Sequence, residues 1–164
     1  MAEIDSDAII DVKEEQQEEE IRVCLFSLGV DMYAIPVDLL TEIISPQKIF
    51  SVPTTPSHVI GIINLRGNIV PIVDIRQTLS LSQQSSLSGQ IAVVKCGAVT
   101  IGIVVDSVYE VFSVPVSSIL AIPADHGDQT PRNRSRFFKG IIQRETGLAA
   151  LLHIERIIDD IKLT

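Results

Sequence analysis

The fold is decided by a segment that occurs twice, HVIGIINLRGNIVPIVDI at residues 58–75 and FFKGIIQRETGLAALLHI at residues 137–154. The two segments align without a gap, and Gly61 of the first coincides with Gly140 of the second. Each consists of two apolar stretches on either side of a polar tip, which is the pattern of two antiparallel strands joined by a tight turn. The sequence therefore predicts the same β-hairpin at two places along the chain.

The repetition extends upstream of these segments, where residues 21–45 align with residues 89–113. We predict two copies of one unit, at residues 21–80 and 90–164, joined by a polar connector at residues 81–89. A polar loop at residues 124–136 is an insertion in the second copy, because the alignment offset changes across it. A short helical pattern follows the last strand of each copy, at residues 74–79 and 153–158, and the second predicts a C-terminal helix.

The apolar residues are of the kind that favours strands. The chain contains 25 Ile and 17 Val but only 13 Leu, and β-branched side chains pack well on pleated surfaces. Glycines mark the predicted reversals at Gly29, at Gly67-Asn68 and at Gly97. We therefore predict an all-β fold of two small antiparallel barrels that arise from an internal duplication, with short helices.

The net charge of −8 belongs to one end of the chain. Residues 1–20 contain nine acidic residues and one lysine, whereas the remaining residues carry equal numbers of acidic and basic side chains. We expect this acidic leader to be disordered, because it has little apolar content and repels itself. A neutral body with five Phe, two Tyr and no Trp lacks the basic and aromatic surface that nucleic acid requires.

Several other classes of protein are also disfavoured. No apolar run reaches the roughly 18–20 residues that span a bilayer, and the N-terminus lacks the apolar core of a secretory signal. The three histidines and two cysteines show no metal-ligand spacing, so we predict no metal and no cofactor. The repeated acids Asp38/Glu42 and Asp106/Glu110 are interpreted as caps or salt bridges rather than as a catalytic pair, and we predict that the protein is not an enzyme.

A basic cluster follows the acids of the inserted loop. Its members are Arg132, Arg134, Arg136 and Lys139. A solvated loop is the simplest interpretation, and a contact with an acidic partner or with the acidic leader remains open.

The most specific motif runs from Val52 to Arg76, VPTTPSHVIGIINLRGNIVPIVDIR. With this pattern of Pro, Gly and Asn-Leu-Arg-Gly, the chain resembles the CheW family of chemosensory adaptors over about residues 21–160. The resemblance implies two SH3-like five-stranded antiparallel β-barrels. It also implies a non-enzymatic, cytoplasmic adaptor that couples chemoreceptors to a CheA-type histidine kinase and is recruited to membrane-associated receptor arrays.

The resemblance also implies partners and contact residues. The partners are the cytoplasmic tip of a chemoreceptor, which docks between the barrels, and the regulatory domain of the kinase; the isolated protein is expected to be a monomer without direct membrane insertion. The receptor-binding positions carried over are Val37, Leu40, Ile43 and Arg66. Arg66 can also form a salt bridge with Glu42, and Ile101 and Gly102 are assigned to kinase contact.

Two alternatives to this interpretation remain. The chain could be a CheW-like adaptor of a non-flagellar pathway, such as one that controls twitching, with the same physics and different partners. It could also be a small β-barrel enzyme or ligand-binding protein, which would need a polar pocket with perturbed carboxylates.

Overall fold

The computed structural model of the protein describes residues 18–81, 89–122 and 134–161. It contains ten strands and one α-helix in these ranges. The strands are β1 (Glu20–Leu28), β2 (Asp31–Pro36), β3 (Leu40–Ile44), β4 (Val59–Leu65), β5 (Asn68–Val73), β6 (Gln90–Cys96), β7 (Val99–Val105), β8 (Ser107–Pro115), β9 (Phe138–Arg144) and β10 (Gly147–Leu152); the helix is α1 (Ile154–Ile161). Short 3-10 helices lie at Val37–Leu39, Val116–Ser118 and Arg134–Phe137.

The strands form two five-stranded sheets. The central sheet has the order β3-β6-β7-β5-β4 and occupies the continuous stretch 40–105, whereas the terminal sheet has the order β8-β1-β2-β10-β9 and is built from both ends of the chain. The strands of the two sequence copies occupy equivalent places, so the predicted duplication is confirmed in the sheet order. The two sheets together form the two-domain SH3-like fold.

The assignment of one barrel to residues 21–80 and the other to residues 90–164 is wrong. Each sheet takes a hairpin from one sequence copy and three strands from the other, because the chain crosses between sheets after β2 and again after β7. The sheets are also not purely antiparallel. In each of them one pair is parallel, β2 with β10 and β5 with β7.

The core has three parts. One cluster fills each sheet's concave interior, around Leu25 in the terminal sheet and around Val93 in the central sheet. The third and largest cluster lies between the sheets and includes Phe26 of β1, Val94 of β6 and Ile157 of α1. The strands β1 and β6 thus bury both faces, which explains why their sequences are continuous apolar runs rather than alternating ones.

The repeated Gly-Ile-Ile motif has a packing role. Phe50 and Ile62 exchange two backbone hydrogen bonds of 2.9 Å, and Leu120 and Ile141 do the same in the other copy. A Cβ atom at Gly61 would lie 2.3 Å from the carbonyl oxygen of Phe50, and one at Gly140 would lie 2.8 Å from that of Leu120. Only glycine therefore allows the returning chain to pair with β4 and β9.

The second crossing between sheets, after β7, is held by Asp106. Its carboxylate accepts a hydrogen bond of 2.6 Å from the backbone N–H of Gly29, in the β1–β2 turn, and another from the guanidinium of Arg76. The Arg76 side chain is only 2% exposed, and it also lies 3.9 Å from the carboxylate of Asp74. Burial acts to raise the pKa of Asp106, but the bonds from Arg76 and Gly29 outweigh it and hold the pKa below its usual value.

The helix predicted at residues 74–79 is a single turn. Leu79 donates to the carbonyl of Ile75, and the turn ends at once because Ser80 has a φ of 56°. Ser80 donates to Gln77 and Leu81 to Arg76, which is the Schellman pattern that terminates helices. The C-terminal helix, by contrast, is confirmed as α1.

Gly61→Ala is expected to destabilise the protein by about 1–3 kcal/mol, because the new methyl group would overlap the Phe50 carbonyl. Gly67→Ala is the control, since open space surrounds that position and only the left-handed backbone is strained, at a cost of about 1–2 kcal/mol. Chemical denaturation of both variants measures the difference. A loss of less than about 1 kcal/mol in Gly61→Ala would show that the close approach at Gly61 does not matter for stability.

Asp106→Asn is expected to lower the free energy of unfolding at pH 7 by about 2–4 kcal/mol, because it leaves Arg76 buried beside a neutral group. A carboxylate whose pKa is lower in the folded than in the unfolded state stabilises the fold at pH values above the unfolded pKa. This stabilisation is lost as the pH falls through the folded pKa. The gap between wild type and variant should thus begin to narrow below about pH 4 and continue to narrow as the pH falls through the lowered folded pKa. Denaturant titrations from pH 7 down to pH 3 test this, and a gap independent of pH would contradict it.

Candidate interaction surface

Arg66 stands at the tip of the β4–β5 hairpin in a strained backbone conformation. Arg66 and Gly67 have φ values of 51° and 85°, which makes the two-residue connection a type I′ turn. The sequence placed these positive φ values on Gly67 and Asn68, one residue too late; Asn68 is the first residue of β5. Asn64 supports the turn by accepting a hydrogen bond of 2.8 Å from the N–H of Gly67. A non-glycine residue held in this region marks a position where strain serves a purpose.

The predicted salt bridge between Arg66 and Glu42 is present. Two parallel hydrogen bonds of 2.7 and 2.8 Å join the guanidinium to the carboxylate. The hydrogen bond from Arg66 holds the pKa of Glu42 below its usual value. Since β3 and β4 are the two edges of the central sheet, the pair spans the opening between them. An exposed pair contributes little to stability, so its main effect is to fix the orientation of Arg66, whose side chain remains 73% exposed.

A bulge in β3 decides which residues accompany Arg66. Leu40 pairs with Val94 and Ile43 pairs with Ala92, and the register shifts between Leu40 and Glu42. The extra residue places Leu40 and Ile43 on the same face of the strand, although three positions would normally separate them onto opposite faces. Leu40, Ile43 and Val37 are all half-buried. They form an apolar strip along an edge strand beside the Glu42–Arg66 pair.

A cleft of about 600 Å³ opens on the other face of β3. Its walls include Glu42, Arg66, Lys95, Val99 and Ile69, and Ile69 is 62% exposed. Lys95 is exposed and has no ion pair among the residues that the structure describes. We refer to this as the central cleft; it is apolar at its floor and has two cations and one anion on its walls.

The terminal sheet has an equivalent cleft of about 380 Å³, which we call the terminal cleft. There, Glu110 occupies the place of Glu42 and is bound by Arg144, which likewise links the two edge strands β8 and β9. The arginine has moved one position along the repeat, because the counterpart of Arg66 is Glu145. Arg144 was not predicted from the sequence, although Glu110, as the repeat of Glu42, was a signal that a basic partner lies nearby. The interpretation of Glu42, Asp106 and Glu110 as salt-bridge residues is confirmed.

Ile101 and Gly102 do not form a contact surface. Both are buried in β7, in the middle of the central sheet. A Cβ atom at Gly102 would lie 2.5 Å from Cδ1 of Ile72, so the glycine is required by packing. The assignment of these two residues to kinase contact is therefore wrong. It was carried over from the family resemblance, although the apolar run at residues 101–105 has the pattern of a strand that is covered on both faces.

Other predicted features fall into two groups. The turn positions Gly29, Gly67 and Gly97 are confirmed, each with a positive φ. The leader up to residue 17, residues 82–88 of the connector and residues 123–133 of the inserted loop lie outside the described residues. Of the basic cluster, Arg136 is bound to Asp160 at 2.7 Å and stacks on Phe137.

Two broader findings concern the described part of the chain. Within residues 18–81, 89–122 and 134–161, no helix has the length and apolar character needed to cross a membrane. In the same ranges, no three His, Cys, Asp or Glu side chains come together as a metal site would require.

Comparison with known proteins identifies the class. The family model for the CheW-like domain matches residues 22–162, and the chain belongs to this family. The chemotaxis protein CheW of Helicobacter pylori is 28% identical over 89% of this chain and 86% of its own length. The protein of the same name from Thermotoga maritima is 30% identical, over 87% of this chain and 90% of its own.

A solved structure shows the same fold. The scaffolding protein TtCheW of Thermoanaerobacter tengcongensis superposes with a TM-score of 0.73 at 24% identity, and the match covers 87% of this chain and 90% of that one.

Proposed function

We propose that this CheW-like chemotaxis adaptor joins the cytoplasmic tip of a chemoreceptor to the regulatory domain of a CheA-type histidine kinase, and that it does so by binding alone. The match of the CheW-like family model to residues 22–162 carries this proposal. It works in the cytoplasm, where it is recruited to receptor arrays, and it is a monomer when isolated. Its task is to hold two partners in a fixed geometry.

The receptor-side surface consists of the apolar strip on β3 and the exposed head of Arg66. A helical partner needs apolar anchors and a polar group at their rim, and Val37, Leu40, Ile43 and Arg66 supply both. Arg66 is suited to this because Glu42 holds its guanidinium with two bonds while most of the side chain remains exposed. A donor fixed in advance loses less conformational entropy when it binds.

Arg66→Glu tests the receptor side. We expect it to weaken binding of the full-length protein to a receptor-tip fragment about tenfold or more, because it places two carboxylates together where one cation was exposed. Binding of the kinase regulatory domain should be unchanged. Isothermal titration calorimetry with each partner measures both affinities.

Arg144→Glu is the matched control, since it reverses the equivalent cation of the terminal cleft. Thermal melts of both variants establish that they fold. Receptor binding by Arg66→Glu at the wild-type affinity would refute the assigned surface. If the wild-type protein binds neither fragment, the adaptor function itself is refuted.

A further inference from the structure

Negative charge is concentrated in the leader, whereas the central sheet carries more positive than negative side chains. Residues 1–17 contain six acidic residues and one lysine, whereas residues 40–105 contain four Lys or Arg and two acidic residues. One of those bases, Arg76, is buried and bound to Asp106. Lys95 and Arg66 both line the central cleft and are exposed. The wall of this cleft is therefore a region of the body whose charge complements the leader.

The duplication provides an internal comparison for this charge. In the terminal cleft, the counterpart of Lys95 is Ser27 and that of Arg66 is Glu145, while Asp31 stands in the place of Val99. These three exchanges remove a positive charge or add a negative one, whereas Arg144 in place of Leu65 adds a cation to the terminal cleft, where it is bound to Glu110. The two charged side chains that line the terminal cleft therefore cancel, while the central cleft keeps Lys95 as a cation without an ion pair among the described residues.

The described part of the C-terminal region has cations that are already accompanied by acids. Arg136 is bound to Asp160, and the exposed Arg156 lies in α1 together with Glu155 and Asp159. Among the described residues, this surface is therefore less positive than its count of arginines indicates.

The leader departs from the body close to the central cleft. Glu20 pairs with Pro115 and Val23 pairs with Pro36, so the N-terminus leaves the terminal sheet at the end where Pro36 leads to β3. Val23 and Glu20 are three residues apart along β1, which corresponds to about 10 Å. Residues 9–15 precede Glu18 by three to nine positions, so an extended chain carries them up to about 10–30 Å from the first described residue.

We propose that the leader binds the central cleft within the same molecule. The interaction proposed is between the carboxylates of the leader and the cations Lys95 and Arg66. Because Arg66 belongs to both surfaces, the bound leader competes with the chemoreceptor; this consequence rests on the proposed function, whereas the leader contact does not. The leader is then an internal competitor that lowers receptor affinity.

A spin label tests the contact in the full-length chain. A nitroxide is attached at Ser6→Cys in a Cys96→Ser background, in which the other cysteine, Cys24, is buried. At low salt, the amide NMR signals of the central cleft should broaden more than those of the terminal cleft. The signals compared are those of Ile69, Lys95 and Thr100 with those of Met32, Thr146 and Leu148.

The dependence of the broadening on salt and on charge distinguishes binding of the leader from random collisions. The contrast between the clefts should vanish in 1 M NaCl, where the screening length is about 3 Å. It should also vanish when the leader acids are neutralised, and in Lys95→Glu, but it should persist in the control Lys139→Glu. The neutralised leader carries Asp5→Asn, Asp7→Asn, Asp11→Asn, Glu14→Gln and Glu15→Gln. Equal broadening in both clefts, or a contrast indifferent to salt, would overturn the proposal.

Receptor affinity tests the competition. The chain with the neutralised leader should bind the receptor-tip fragment about threefold to tenfold more tightly, as expected if the leader covers the cleft for most of the time. An unchanged affinity would refute competition. If no chain binds the receptor fragment, the proposed function fails, while the spin-label contrast still decides where the leader lies.

Discussion

The carboxylate of Asp106 links the β1–β2 turn of the terminal sheet to Arg76 at the end of the central sheet. It lies where β7 ends and β8 begins, and it holds the β1–β2 turn through Gly29 and the end of the central sheet through Arg76. This contact adds a polar link between the two sheets to the apolar cluster that is packed between them. The equivalent site at the first crossing lacks it, because Asp38 is exposed and Glu155 stands where Arg76 does in the first copy. One crossing is pinned by a buried charge, and the other is held by apolar packing.

Duplication has given the protein two clefts with the same architecture and different chemistry. In both, a glutamate on one edge strand binds an arginine on or beside the other. In the central cleft the arginine sits in the turn itself and remains mostly exposed, whereas Arg144 lies in β9 and stacks on Phe112. A difference of one position in the repeat thus decides whether the arginine is exposed to partners, as Arg66 is, or packs against its own sheet, as Arg144 does.

Much of the fold could be predicted from the chain, because glycines at turns and apolar strands repeat in register. The exchange of hairpins could not, since the repeat shows which strands are alike and not which copy each one pairs with. Two residues of the site could be predicted from the sequence. Arg66 belongs to a specific motif, and Glu42 recurs at the same place in the second copy. The assignment of Ile101 and Gly102 failed because it was carried over from a resemblance, whereas the unbroken apolar run around them is typical of a strand covered on both faces. Lys95 was missed because a single lysine in a strand has no distinguishing pattern.

The interleaved topology sets an order in which the protein can be assembled during synthesis. All strands of the central sheet lie in one continuous stretch, so they can pair as soon as residue 105 has left the ribosome. The hairpin β1–β2 is made earlier but must wait, because Ala34 pairs with Leu151 near the end of the chain. The edge of β1 can pair once β8 has been made, but the edge of β2 stays open to other chains until β10 follows. Its partners require loop closure over most of the sequence, which makes the terminal sheet the slow step and the point of greatest exposure to misassembly.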